Sequence, residues 1–267
     1  MADYKAPLRD MRFVLNEVFE VSKLWAQLPE LAETVDAETV EAILEEAGKV
    51  TSKTIAPLSR NGDEEGCHWK DTVVTTPAGF PEAYKTYAEG GWVGVGGNPE
   101  FGGMGMPKVV SAQVEEMLNS ASLAFGLYAM LTSGACVSID THASEALKTK
   151  FLPNMYSGVW AGSMCLTEAH AGTDLGMIRT RAEPQAGGAY QITGSKIFIT
   201  GGEHDLTENI IIWCWPSCRM LRLARKASRC FWCPSSWSLT TAASASATPS
   251  VVARSSTRWA SRRLQRV

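Results

Sequence analysis

No aspartate or glutamate follows Glu208 in this chain of 267 residues, and that absence divides the sequence in two. Residues 1–212 carry 15 Lys and Arg against 28 acids, a net charge of −13. The remaining 55 residues carry ten Lys and Arg and no acid, a net charge of +10. Other absences narrow the function classes. There is no G-x-G-x-x-G and no Gly-Lys-Ser/Thr, so neither a dinucleotide-binding fingerprint nor a P-loop is present. The run Gly94-Val95-Gly96-Gly97 lacks both that register and a preceding buried strand, and reads as part of a surface connection from Gly90 to Gly105. Met1 to Pro7 lack the basic-then-apolar pattern of a signal peptide, which makes a cytoplasmic location the expectation. No uncharged apolar run of membrane-spanning length is found, the longest being interrupted around Ser133-Gly134. The seven cysteines come without secretory context or compact spacing, which argues against a disulfide framework. Cys67-His68 stands alone and reads as a packing pair rather than a metal site.

What is present is helical at first. Leu8, Met11, Leu15, Val18 and Trp25 share one face at helical spacing, which predicts a helix over 8–25. A second helix is predicted from Asp36 as N-cap, with Val40, Ile43, Leu44, Ala47 and Val50 inward and Glu41, Glu45 and Glu46 on a solvated face. Asn61 to Gly66 reads as a loop. Further helices are predicted from Phe80 toward Trp92, over 109–125 and over 127–151, the last stopped by Pro153. From Trp160 the pattern changes to short strands, with turns at Ala186-Gly187-Gly188 and Thr193-Gly194.

The chain's chemistry is concentrated in Met164-Cys165-Leu166-Thr167-Glu168-Ala169-His170-Ala171-Gly172-Thr173-Asp174 and, some thirty residues on, Lys196-Ile197-Phe198-Ile199-Thr200-Gly201-Gly202. Small residues, hydroxyls and glycine suit a backbone that comes close to a flat ring with polar edges. Glycine permits the approach, and amides and threonine hydroxyls donate to ring nitrogens and carbonyls. Phe198 has the shape to cover one face of such a ring. Two strands joined by a glycine turn, with a helix cap at Thr173 or Asp174, account for the same residues without any ligand.

The order C-L-T-E-x-x-A-G-T-D resembles the first signature of the acyl-CoA dehydrogenase family, and K-I-F-I-T-G-G resembles its second flavin-contacting strand. Gly91-Trp92-Val93-Gly94, the P-E-F-G-G of 99–103 and the T-H-A-S-E-x-L-K-x-K-F-L-P of 141–153 fit the same family. The opening Y-K-A-P-L-R-D-M-R-F-V-L resembles a subgroup with an extended N-terminus that includes 3-methylmercaptopropionyl-CoA dehydrogenase-like enzymes. The resemblance spans residues 1 to about 211. It implies an α+β chain: an all-helical N-terminal domain over 1–159, then the first part of a β-domain over 160–212, with the family's C-terminal helical domain missing. It also implies FAD as cofactor, held by Met164, Cys165, Leu166, Thr167, Phe198, Ile199 and Thr200, and an acyl-CoA substrate near Thr173. The implied reaction is α,β-oxidation of the acyl thioester to the 2,3-enoyl-CoA. Its electrons pass to electron-transfer flavoprotein, and intact relatives are homo-oligomers. The family's catalytic glutamate is not at the place of Glu168 and is expected to be absent from this chain.

The tail, 213–267, departs from the family. Its Cys214, Cys218, Cys230 and Cys233 have ligand-like spacing, and its basic, aromatic-interleaved character suits a nucleic-acid arm. The genetic code favours a third reading. Joining the last base of each codon to the first two of the next forces Val at Trp213–Cys214, Leu at Cys214–Trp215 and Ala at Trp215–Pro216. The same operation forces Val at Trp232–Cys233 and Gly at Trp259–Ala260. Permitted bases elsewhere give an apolar strand, a charged loop, a second apolar strand and E-H-K-M-G-I-K-A-S, a family sequence. The expectation is an out-of-frame tail with no single fold, no zinc and no nucleic-acid role, leaving open strand edges before Ile212. A non-catalytic metal-binding or interaction protein using that tail is the alternative.

Overall fold

The computed structural model describes residues 4–32, 34–185 and 190–216, together with the strands Phe231–Pro234 and Val251–Ala253. Helices occupy the chain up to Tyr156: α1 Leu8–Phe13, α2 Val21–Trp25, α3 Pro29–Ala32, α4 Ala37–Val50, α5 Leu58–Glu65, α6 Phe80–Glu89, α7 Lys108–Ala121, α8 Leu123–His142 and α9 Glu145–Tyr156. Between α5 and α6 lies a two-stranded hairpin, β1 His68–Lys70 and β2 Val73–Thr75. From Trp160 the chain is strand: β3 Trp160–Cys165, β4 Arg181–Pro184, β5 Tyr190–Thr193, β6 Asn209–Cys214, β7 Phe231–Pro234 and β8 Val251–Ala253.

The helix that opens on Asp36 forms as expected. The Asp36 carboxylate accepts from the Thr39 N–H at 2.7 Å, and Val40, Leu44 and Ala47 are buried. These meet Val110, Val114 and Met117 of α7 in one core whose centre is Phe125 of α8. The Phe125 ring contacts Phe80 edge-on at 5.5 Å, Tyr87 at 6.2 Å and Tyr84 at 6.3 Å.

Several expectations are corrected. The single helix over 8–25 is broken: α1 runs into a π turn, Val14–Val18, and Glu20 adopts a left-handed backbone, φ 45°. The break rotates the face, so Val21 is buried while Val18 stays exposed. Asn61 to Glu65 is helical, not a loop. Arg60 pairs with Glu64 and Asn61 donates to Glu65 one turn on, and a Cβ at Gly62 would lie 2.8 Å from the Phe80 ring. Tertiary packing therefore explains the glycine that suggested a turn.

The Gly90–Gly105 passage is packed rather than a loose connection. Trp92, Val93 and Val95 are buried, and the Met104 and Met106 amides donate to Gly94 and Val95 at 2.9 and 3.0 Å. Gly97 lies against the Tyr156 ring, and Gly103 against the Gly97 backbone, both closer than a side chain permits. The two predicted helices over 109–151 are three. Ser122 ends α7 and caps α8 by accepting from the Phe125 N–H at 3.4 Å, and Ser144 precedes α9. Pro153 lies inside α9, which continues to Tyr156.

Ser133 and Gly134 do not interrupt α8. This 20-residue helix is long and apolar enough to cross a membrane by length and composition. Here one face is buried, with Phe125, Ala129, Thr132, Ala135, Cys136 and Ile139 against α7 on one side and β3 and α9 on the other, while Leu123, Met130 and Val137 are exposed.

Strand β3 pairs in parallel with β6, Ala161 opposite Ile210 and Cys165 opposite Cys214, and β6 pairs antiparallel with β7. A second sheet has the order β4-β5-β8. The turn expected at 186–188 lies outside the described residues, and β4 and β5 on either side of it form an antiparallel pair. Most of the tail, 217–230, 235–250 and 254–267, also lies outside them. Where the tail is described, it corrects the expectation of open edges. β6 runs past Ile212 through Cys214, β7 covers its far edge, and β8 pairs with β5. Strand addition needs backbone amides and carbonyls rather than a particular side-chain set, so these short apolar segments serve.

The two halves meet at two seams. Gly162 of β3 donates its N–H to Thr132 Oγ1 of α8 at 3.1 Å. The loop after the second motif is tied back by Asp205, which accepts from the Thr76 N–H and hydroxyl at 3.1 and 2.7 Å. Beside it, His204 packs edge-on against Tyr128 at 5.0 Å.

Candidate functional site

The first motif begins on β3, where Ala161, Gly162, Ser163 and Cys165 are buried and Met164 points outward. Parallel pairing with β6 extends one residue beyond the strand, the Trp215 N–H donating to Cys165 O at 3.1 Å. Leu166 and Thr167 then leave the sheet half-buried. At Glu168 and Ala171 the chain closes a tight bridge, each amide donating to the other's carbonyl at 2.9 and 3.1 Å. Asp174 caps the short turn Leu175–Met177, its carboxylate accepting from the Gly176 N–H at 2.9 Å.

The second motif crosses the first in the opposite direction. Ile197 N–H donates to Thr167 O at 2.9 Å, and Ser163 Oγ donates to Thr200 O at 2.8 Å, so rising numbers in one segment meet falling numbers in the other. Ile199 packs beside Cys165, Ile192 and Cys214. The expected flavin-contacting strand is corrected in form: 194–199 belongs to no ladder. Phe198 takes a left-handed backbone, φ 56°, which turns the segment and leaves the ring 71% exposed.

Sequence reading missed the buried ion pair beneath these segments. The Lys196 ammonium donates to Leu166 O at 2.9 Å, Glu168 Oε1 at 3.0 Å and Trp215 O at 2.7 Å, using all three of its protons. Glu168 also accepts from Thr180 Oγ1 at 2.6 Å, the Thr180 N–H at 3.0 Å and the Arg179 N–H at 2.8 Å. Burial alone would raise its pKa. Those donors, with Lys196, outweigh it and hold the carboxyl down at about 2. His170 Nε2 lies 3.3 Å from the other carboxylate oxygen and 3.1 Å from Met177 O. A lysine at the head of an otherwise apolar stretch was the available signal, because lysine is almost never buried without a partner.

The structure thus brings together Met164, Cys165, Leu166, Thr167, Phe198, Ile199 and Thr200. Thr173 lies apart on the exposed loop beyond the bridge, and no hydrogen bond among the described residues ties it to the second motif. The arrangement fits a planar ring with polar edges. Met164 and Phe198 offer exposed apolar surface on the two crossing segments. Among the described residues no protein partner takes up the Thr167 N–H or hydroxyl.

Comparison with known proteins identifies the family. Residues 37–159 match the family model described as acyl-CoA dehydrogenase, N-terminal domain. Over 210 residues the chain is 41% identical to 3-methylmercaptopropionyl-CoA dehydrogenase of Ruegeria pomeroyi, covering 78% of this chain and 35% of that protein. It is 37% identical to a butyryl-CoA dehydrogenase of Syntrophomonas wolfei, with the same two coverages. The chain thus spans about a third of the length of these curated relatives. Among solved structures, butyryl-CoA dehydrogenase of Megasphaera elsdenii superposes with a TM-score of 0.56 at 25% identity, over 69% of this chain and 46% of that one. The acyl-CoA dehydrogenase of Bacillus anthracis complexed with FAD shares the fold at a TM-score of 0.59 and 20% identity, over 77% and 32%. Helices, crossing motifs and relatives lead to one conclusion: the chain belongs to the acyl-CoA dehydrogenase family.

Proposed function

We propose that the crossing of the two motifs forms one wall of an FAD site, and that the chain derives from an enzyme oxidising acyl-CoA thioesters between their α and β carbons. The observation that carries this reading is the Ile197–Thr167 hydrogen bond, which brings the segment of the exposed Phe198 to Thr167, whose N–H and hydroxyl have no partner among the described residues. When bound, FAD supplies the hydride acceptor. Thr167 would then donate to the ring edge, Phe198 and Met164 would cover apolar surface and exclude water, and Thr173 would serve the acyl-CoA. Electron-transfer flavoprotein is the proposed electron acceptor.

Glu168 is not the base for the α proton on this reading, because its carboxylate is committed to Lys196 and Thr180. We propose further that residues 213–267 translate the β-domain out of frame, which removes the family's glutamate and leaves negligible turnover. The acid-free, Arg-rich composition and the forced codon overlaps support this. The test has two parts. Titration of the purified chain with FAD is expected to give saturable flavin binding, with no acceptor reduction by any acyl-CoA. Sequencing the DNA across the codons for Asn209 to Trp215, then restoring the frame, is expected to restore turnover. A chain that binds no FAD overturns the site, and turnover by the chain as it stands overturns the out-of-frame reading.

A further inference from the structure

A lysine buried with no water contact is costly unless every proton finds an acceptor, and two of the three acceptors of Lys196 are backbone carbonyls at the ends of neighbouring strands. Leu166 O immediately precedes Thr167, and Trp215 O continues β6 beyond its last ladder residue. The third acceptor, Glu168, is held by Arg179 and Thr180 at the foot of β4. One ammonium therefore joins the exit of β3, the exit of β6, the entry to β4 and the segment that carries Phe198. The link to residue 215 uses its carbonyl alone, so it holds whatever side chain stands there.

We infer that Lys196 is a positioning residue, which through Leu166 O and Glu168 fixes the separation of Thr167 from Phe198 and so the width of the proposed flavin wall. The inference rests on the flavin reading for its ligand but not for its geometry. Without the ammonium, Leu166 O loses its lysine donor, the Glu168 carboxylate keeps only the His170 ring, 3.3 Å from its other oxygen, as a basic side-chain neighbour among the described residues, and the segment that carries Ile197 N–H loses its anchor one residue away. Thr180 and the two amides still hold Glu168, so the β4 end of the cluster stays in place while the motif crossing opens.

The test compares the full chain with Lys196→Met, Lys196→Arg and the charge-free double variant Glu168→Gln/Lys196→Met. It reads hydrogen exchange at the Ile197 amide, FAD affinity by titration and helix content by circular dichroism. Removing one partner of a buried, hydrogen-bonded charge pair is expected to weaken FAD binding at least about 30-fold, and to speed Ile197 exchange by a similar factor, with helix content unchanged. The double variant is expected to recover part of both losses, since it leaves no unpaired carboxylate. Lys196→Arg, which keeps the charge, is expected to recover more. Ile197 protection and FAD affinity within twofold of the parent in Lys196→Met would overturn the inference, as would a loss of helix content in all three variants. If the parent chain binds no FAD, the flavin reading fails, and the Ile197 exchange still decides whether Lys196 sets the spacing.

Discussion

Gly162 is where the strand that opens the first motif touches the helix that spans the core, and one methyl group there tests the docking of the two halves. A Cβ on Gly162 would lie 2.5 Å from Ala135 Cβ, 3.1 Å from Met155 Cε and 3.3 Å from Thr132 Cα. Met155 can swing aside, but Ala135 and Thr132 are fixed to α8, so β3 must retreat. Overpacking of this kind costs about 1–3 kcal/mol. The retreat also lengthens the 3.1 Å bond from Gly162 N–H to Thr132 Oγ1, worth about 1 kcal/mol. The buried methyl returns about 0.8 kcal/mol. Gly162→Ala should therefore destabilise by about 2 kcal/mol. Gly134 on the same helix provides the control, because it is exposed and a Cβ there meets nothing within 4 Å. Gly134→Ala should stabilise by about 0.5–1 kcal/mol through helix propensity. Followed by circular dichroism, the midpoints should move in opposite directions, about 6 °C down and about 2 °C up. A Gly162→Ala midpoint at or above the parent's would refute the close packing of β3 on α8.

Three further outcomes are expected. Phe125→Ala empties the centre of the aromatic cluster, a side chain with no exposure and three ring neighbours, and should cost about 3–5 kcal/mol in urea unfolding. Burial lowers the His204 pKa from 6.5 to about 4, so between those values the unfolded chain binds a proton that the folded chain refuses. Stability should accordingly fall by about 2 kcal/mol from pH 7 to pH 5, and His204→Asn, which keeps an acceptor for the Leu206 N–H, should remove that slope. Glu168 has the opposite linkage at lower pH. Its depressed carboxyl contributes stability in full above about 4.5, lost as pH falls toward 2, and Glu168→Gln should flatten the acid limb of a denaturation series measured there.

Much of this protein was legible in its residues. The Asp36 cap, the inward face of α4, the start of strand at Trp160 and both motifs follow from local chemistry, because capping, periodicity and small-residue patterns act over a few neighbours. The tertiary structure decided the rest. Asn61-Gly62 is helical because Phe80 occupies the space a side chain would fill, and the Gly90–Gly105 passage is packed because Gly97 and Gly103 must touch Tyr156 and each other. The Lys196–Glu168 pair joins residues 28 positions apart, and its partners include a carbonyl at residue 215, which no side-chain pattern encodes. A charge reads as solvent-exposed in sequence. Only the fold, by removing water from one ammonium and supplying three acceptors, makes it the point where two motifs meet.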